Sequence, residues 1–313
     1  MLGRTAGGIF WMFRYLERSE NMARLIEAGH RMALTRGMGS DEEWRSVVMT
    51  AGLRSAYEAR FDNYEPQNVV NFLMRDKTNP ASILSMLESA RHNARMTRVA
   101  LTREVWEATN IFWMRIKERM TRPVRETDLP GLIAMIRQQS AQVRGALHGS
   151  MLRLDIYNFA RLGTFLERAD NTARILDVKY YVLLPSLSFV GAALDNVQWE
   201  TILRSVSAEH AFRWLNAGGT RPVGVAEFLI CDGRFPRSLS FCYQKLHGNL
   251  AYLEKDYGFR VPAHDLADEM HGSICKQGIE TIFESGLHEF LTDFMARNAR
   301  LAAEIERNYR FYG

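Results

Sequence analysis

The chain has 313 residues, 47% hydrophobic and 24% charged, a globular balance that excludes intrinsic disorder and allows a substantial core in one large domain or two ordinary ones. Forty Lys and Arg against 36 Asp and Glu leave a formal charge of only +4, which gives no reason to expect nucleic acid as a partner. No stretch approaches the roughly 18 apolar residues of a membrane helix or resembles a signal segment, so the expectation is a soluble, cytoplasmic protein that does not engage a membrane.

Taken in chain order, the apolar residues recur at three- and four-residue spacing. The first helix is expected over 8–35, with Phe10, Phe13, Leu16, Met22, Leu25 and Ile26 on its buried side. It carries the run YLERSENMAR, Tyr15–Arg24. There Glu17, Asn21 and Arg24 share one face at i, i+4 and i+7, and Arg18 lies about 100° around. Glu20 stands four positions before Arg24, the favourable order for an ion pair along one helix. Glu27 and His30 have the spacing of half a di-metal carboxylate site.

A Gly-rich loop at 35–40 leads to a helix over 41–58 that carries Trp44. Short and long helices follow over 66–75 and 80–100. They enclose the pattern Phe72-Leu73-x-x-Asp76-x-x-x-Pro80-x-Ser82. In that pattern Asp76 is expected to satisfy backbone N–H groups of the loop, and Pro80 to occupy the first turn of the next helix. Arg91, Arg95 and Arg98 make a basic stripe, read as a solvated face with an acidic or phosphate partner as the alternative. Helices over 102–120 and 129–148 complete the first half; Trp11, Trp106, Phe112 and Trp113 read as core.

A second long helix is expected over 151–181, with Ile156, Phe159, Leu162, Leu166, Ile175 and Val178 apolar. It carries FLERADNTAR, Phe165–Arg174, identical to the first run at six of ten positions. Glu167, Asn171 and Arg174 repeat the first face, with Arg168 beside them and Asp170 before Arg174. The place of the Glu27–His30 pair is taken by Asp177 and Tyr180, so no metal is expected. Further helices are expected over 195–215 (with Trp199), 222–231, 236–256, 262–285 and 286–311, with a Gly-rich loop at 217–220. Phe228, Leu229, Asp232, Pro236 and Ser238 repeat the earlier Phe-Leu-Asp-Pro-Ser pattern, and Arg237 follows the proline. His264, Asp268 and His271 share a face that reads as solvated. Cys231, Cys242 and Cys275 form no CxxC pair and read as small reduced core residues.

No period-two alternation appears, so the expected class is all-α: a multi-helix bundle built from two duplicated helical units in a pseudo-twofold arrangement. The expected organisation is one domain over 1–313, with repeat one at about 8–125, a connecting helix at about 128–150 and repeat two at about 151–311. The duplicated polar face has two readings. It is either a buried Glu–Arg–Asn network that fixes how two helices cross, or a cleft that offers arginines to an acidic ligand. In the second reading Glu17 and Glu167 are the candidate catalytic bases, one of them raised into the working range by burial. Arg18, Asn21, Arg24, Arg168, Asn171, Arg174, Asp76, Asp232 and Arg237 are then the candidate ligand-binding residues. No phosphate loop, nucleophile elbow or Cys/His pair is present, and no cofactor is expected.

The opening MLGRTAGGIFWMFRYLERSENMARLIEA, the second FLERADNTARILDVKYY, and FPRSLSFC together resemble the bacterial alpha-E family, helical domains named for an ER motif. The resemblance covers nearly the whole chain. Departures are Gly7-Gly8, where the family is more often polar, and Thr164, where an Arg commonly stands. The resemblance implies an association with a circularly permuted ATP-grasp ligase, often with a transglutaminase-like peptidase, and so a setting of peptide or amino-acid conjugate synthesis. The implied role is an accessory component that binds the ligase or its acidic or peptide substrate. The alternatives are an enzyme of the same pathway and a scaffold without activity.

Overall fold

The structure, a computed structural model, describes residues 3–36, 41–182, 193–216, 219–274, 276 and 278–312, with side chains for all of these except 35–36, 178–182 and 193–198. The expectations for 37–40, 217–218, Val178 and Cys275 lie outside what it describes. Among the described residues there are fifteen α-helices, two short 3-10 turns and no strand, so the all-α reading holds.

Two long helices organise the bundle: α1 (Gly3–Arg36) and α8 (Asp155–Val182), which pack on each other more extensively than any other pair. Around α1 lie α2 (Asp41–Thr50), α5 (Ile83–Met96) and α7 (Leu129–Ser150); around α8 lie α12 (Leu239–Tyr257) and α15 (Leu287–Asn308). The remaining elements are α3 (Arg54–Glu58), α4 (Pro66–Met74), α6 (Arg103–Arg119), α9 (Ala193–Ser205), α10 (Glu209–Leu215), α11 (Pro222–Cys231), α13 (Pro262–Ser273) and α14 (Gly278–Ser285). Ile9, Phe10, Met12 and Phe13 of α1 and Phe159, Leu162, Phe165 and Leu166 of α8 are all buried. A helix enclosed on most sides must bury its polar residues too, and this pair does so.

Helix starts follow residue chemistry. Pro66, Pro130, Pro222 and Pro262 stand in the first turns of α4, α7, α11 and α13, where the missing N–H is no loss. Asp76 accepts the Thr78 N–H at 2.9 Å and Asp232 the Arg234 N–H at 2.9 Å, as the loop pattern requires. Pro80 and Pro236 differ from expectation. Each lies in the preceding turn, and the serine two residues on is the N-cap: Ser82 accepts from Ser85 N–H and Ser238 from Phe241 N–H. A hydroxyl acceptor for a free helical N–H outweighs the proline's preset φ.

Three expected helices are each broken in two. The helix over 41–58 breaks where Gly52 turns at φ +71°, the one over 195–215 where Ser207 takes φ +55°, and the one over 262–285 after Ser273. Cys231 is disulfide-bonded, which corrects the reduced-core reading there; Cys242 is free and buried.

The α1–α8 crossing depends on one small residue. A Cβ at Gly163 would lie 2.3 Å from the Phe10 carbonyl oxygen, so the two backbones touch there. Gly163→Ala is expected to force the helices apart at a cost of about 1–3 kcal/mol, lowering the thermal midpoint by several degrees. Gly145→Ala on α7, where a Cβ meets nothing within 4 Å, is expected to leave it unchanged or raise it.

Candidate functional site

The close crossing brings the two polar faces into register. Arg18 of α1 donates from Nε and Nη2 to the Glu167 carboxylate at 2.9 and 2.6 Å. In return, Arg168 of α8 donates from Nε and Nη2 to the Glu17 carboxylate at 2.8 and 2.9 Å. Each is a two-pronged guanidinium–carboxylate pair, the geometry that adds direction to charge attraction. The glutamate of each run is therefore held by the arginine that follows the other run's glutamate.

Further donors complete each carboxylate. Glu167 also accepts from Arg14 Nε at 2.7 Å, one helical turn before Arg18. In the second run the corresponding position is Thr164, whose hydroxyl turns back to the Ala160 carbonyl at 2.9 Å. Glu17 takes its extra donor from elsewhere: Arg237 Nη1 reaches it at 3.2 Å and also donates to Asn21 Oδ1 at 2.9 Å. Glu20 accepts from Arg24 Nη2 at 2.7 Å, Arg237 Nη2 at 3.1 Å, the Ser140 hydroxyl at 2.6 Å and Arg144 Nη1. Arg24 also donates to Ser207. The turn that carries Arg237 is pinned to α8, since Arg168 Nη1 donates to the Pro236 carbonyl at 3.3 Å and Thr172 to the Arg237 carbonyl at 2.8 Å.

Glu17, Asn21, Arg18, Arg24, Glu167, Arg168 and Arg237 thus meet in one cluster. Asn171 does not join it: its Nδ2 is buried without a partner among the described residues. Arg174 pairs with Asp170 at 2.6 Å in a half-exposed bridge. Asp76 and Asp232 stay in their own turns, Asp76 with Arg60 and Thr78 and Asp232 with Arg234. The expectation that these two face the same site as Arg237 is corrected. Glu27 is taken by Arg31 and Arg137. His264 is also corrected: it is buried, with Nδ1 accepting the Val261 N–H and Nε2 donating to the Leu250 carbonyl at 3.1 Å. It caps a helix instead of facing solvent.

Sequence reasoning missed Arg14, Ser140 and Arg144. Arg14 was legible as i−4 from Arg18. Ser140 interrupts the buried stripe Ile133, Ile136, Val143 and Leu147 of α7, a polar residue in an apolar row that calls for a partner. Arg144, one turn further, carried no signal of its own.

The three carboxylates are sealed: Glu17 is 3% exposed, Glu20 0% and Glu167 4%. Burial pushes the Glu17 carboxyl up, but Arg168 and Arg237 outweigh it and hold it below the ordinary range. Glu167 behaves alike under Arg14 and Arg18, and Glu20 under Arg237, Arg144 and Arg24. The expectation that burial raises one glutamate is therefore reversed. A carboxylate that accepts from guanidiniums at both oxygens and has a depressed pKa is a poor proton acceptor. Arg237 is brought down to about 10 by burial, with Arg24 and Arg168 adding to it against the pull of Glu17. Three carboxylates face six guanidiniums (Arg14, Arg18, Arg24, Arg144, Arg168 and Arg237), of which Arg14 also lies 3.6 Å from Glu306. Of these, the side chains of Arg18 and Arg144 reach solvent most, at 37% and 28%.

A family model, Alpha-E, described as a predicted alpha-helical domain with a conserved ER motif, matches residues 1–310. Uncharacterized proteins of Mycobacterium bovis and Mycobacterium tuberculosis are 23% identical over 315 residues, covering 94% of this chain and 35% of theirs. The chain thus spans about a third of the length of these relatives. No solved structure matches it.

Glu20→Gln removes the charge that three arginines share. It is expected to cost about 3–5 kcal/mol, as for a broken buried ion pair, whereas Asp170→Asn in the exposed bridge is expected to cost less than about 1 kcal/mol; denaturant melts read both. Stability should also depend on pH in one direction. Groups with depressed carboxyl pKa values contribute fully above the unfolded value of about 4.3 and lose that contribution as pH falls through the folded value. The melting temperature is expected to hold from pH 7 to about 5 and to fall steeply below about 4.5, with a shallower acid limb in Glu20→Gln.

Proposed function

This chain belongs to the Alpha-E family, and we propose that it is a binding component, not a catalyst, of an amide-forming system. In this reading it holds an ATP-grasp ligase, or that ligase's acidic or peptide substrate, through the guanidiniums at the α1–α8 junction. The observation that carries the reading is the imbalance at the junction. Its carboxylates are sealed and held by guanidiniums at both oxygens, while arginines outnumber them and two reach solvent. Such a cluster recognises negative charge and has no free base to offer. That relatives contain a like stretch within chains about three times as long supports a domain that works beside other segments. The dependence of such a ligase on ATP suits a cytoplasmic setting.

The same reading treats 1–313 as one domain made of two copies of a helical unit, repeat one at about 8–125 and repeat two at about 151–311, joined by a connecting helix at about 128–150. The reciprocal Arg18–Glu167 and Arg168–Glu17 pairs support a pseudo-twofold relation, as do the matched Asp76 and Asp232 turns. A purely architectural role is the second reading, favoured by how little of Glu17, Glu20 and Glu167 water reaches.

Calorimetric titration with a circularly permuted ATP-grasp ligase, the partner this reading names, separates these readings. Saturable heat that Arg18→Gln weakens at least tenfold is expected. Absence of heat together with unchanged ligase turnover leaves the architectural role. Turnover by this chain alone that Glu17→Gln abolishes without changing the melt contradicts the binding reading in favour of catalysis.

A further inference from the structure

Beside the motif cluster lies a second cationic group that the sequence motifs do not contain. The connection from α7 to α8 is only residues 151–154, so the end of one helix and the start of the other face each other. Arg144 and His148 stand one turn apart on α7. Tyr157, Arg161 and Phe165 step along one face of α8, with Arg153 in the connection.

Their bonds fix the arrangement. Arg161 Nη1 lies 3.1 Å from His148 Nε2, and the Tyr157 hydroxyl lies 2.8 Å from His148 Nδ1. A guanidinium only donates, so Nε2 must accept, and the ring is neutral with its proton on Nδ1, given to the Tyr157 oxygen. The histidine is thus a prop that aims Arg161, whose guanidinium also lies 4.3 Å over the Phe165 ring. Arg153 is tied to the carbonyls of Met151 and His148 at 2.8 and 2.6 Å and lies 4.2 Å over Tyr157. Phe165 in turn packs 5.9 Å from Phe241 of α12.

What Arg153 and Arg161 lack is a counter-charge. Among the described residues no carboxylate lies within ion-pairing distance of Arg153 or Arg161, and Arg144 spends only Nη1 on Glu20 and Ser140. Glu17 and Glu20 are already engaged by Arg168, Arg237, Arg24 and Arg144 itself. Burial first, then Arg168 and Arg153, with Tyr157 and Glu17 opposing, draws the Arg161 guanidinium down, and burial with four neighbouring arginines does the same to His148. Arg144 and Arg161 are half-buried and Arg153 is exposed; cations gathered this closely with too few acids are costly, and an oxyanion between them relieves that cost.

The geometry points to an oxyanion-binding site formed by Arg144, Arg153 and Arg161, with His148 as the positioning residue. Its ligand is a carboxylate or phosphate group. This rests on the binding reading above and places the recognised charge on the α7–α8 junction.

The test is titration of the full chain with inorganic phosphate and, separately, acetate, against chloride at equal ionic strength, following arginine Nε–Hε signals by NMR. Saturable shifts of the Arg144 and Arg161 signals with phosphate or acetate are expected, and the better anion identifies the source of the charge. Arg161→Gln should weaken binding at least tenfold, while Arg103→Gln, a surface-pair control, should not. If Arg161→Gln fails to fold, the exposed Arg153→Gln should weaken binding at least threefold. Equal shifts with chloride, or a variant that titrates like the parent, overturn the site. Anion binding lost with ligase heat retained rejects this inference alone. Anion binding retained without ligase heat rejects the ligase partner alone.

Discussion

Two glutamates and two arginines, exchanged between α1 and α8, are the constraint on which the rest of this fold is arranged. Removing a carboxylate from water costs several kcal/mol, and an ion pair offsets that only when the geometry is good and both oxygens are hydrogen-bonded. Arg168 on Glu17 and Arg18 on Glu167 meet that condition only if the helices approach as closely as Gly163 allows. Helix spacing, crossing point and side-chain identity are therefore one requirement. An apolar pair of similar volume could fill the space, but it would tolerate a slide of one turn. The forked pairs do not.

The requirement spreads outward. Glu20 needs Ser140 and Arg144, which fixes α7 against α1. Glu17 needs Arg237, which fixes the turn before α12, and Thr172 and Arg168 hold that turn's carbonyls. Where Glu167 has Arg14, Glu17 has Arg237 in place of the arginine that Thr164 does not supply. The two halves of the clasp are alike in the fork and unlike in the second donor. On the α7 side Arg144 reaches solvent and adjoins Arg161, which has no carboxylate partner among the described residues.

Much of this was legible in the sequence, and the boundary of legibility is physical. Helical periodicity placed nearly every helix, because burial of one face leaves a local 3.6-residue trace. The faces bearing Glu17 and Glu167 could be read for the same reason. Whether they met could not, since the crossing depends on a backbone contact at Gly163 that no local pattern reports. The Asp76 and Asp232 turns were read correctly, but Pro80 and Pro236 were placed one turn too far along, because Ser82 and Ser238 compete for the cap. Breaks at Gly52 and Ser207 reflect packing that overrides an otherwise continuous apolar pattern. Arg144 and Ser140 are 120 or more residues from Glu20 in sequence, and only the fold joins them. The expected rise of a buried glutamate's pKa failed because burial was weighed without counting the guanidiniums that accompany it.

The most direct measure of the clasp is a double-mutant cycle of Glu17→Gln and Arg168→Met, read by denaturant unfolding. If the fork between them holds the α1–α8 crossing, the two substitutions should couple by about 2 kcal/mol or more, the double variant being far less damaged than the sum of the singles. Additivity within about 0.5 kcal/mol would contradict that account and leave the two helices held by apolar packing alone.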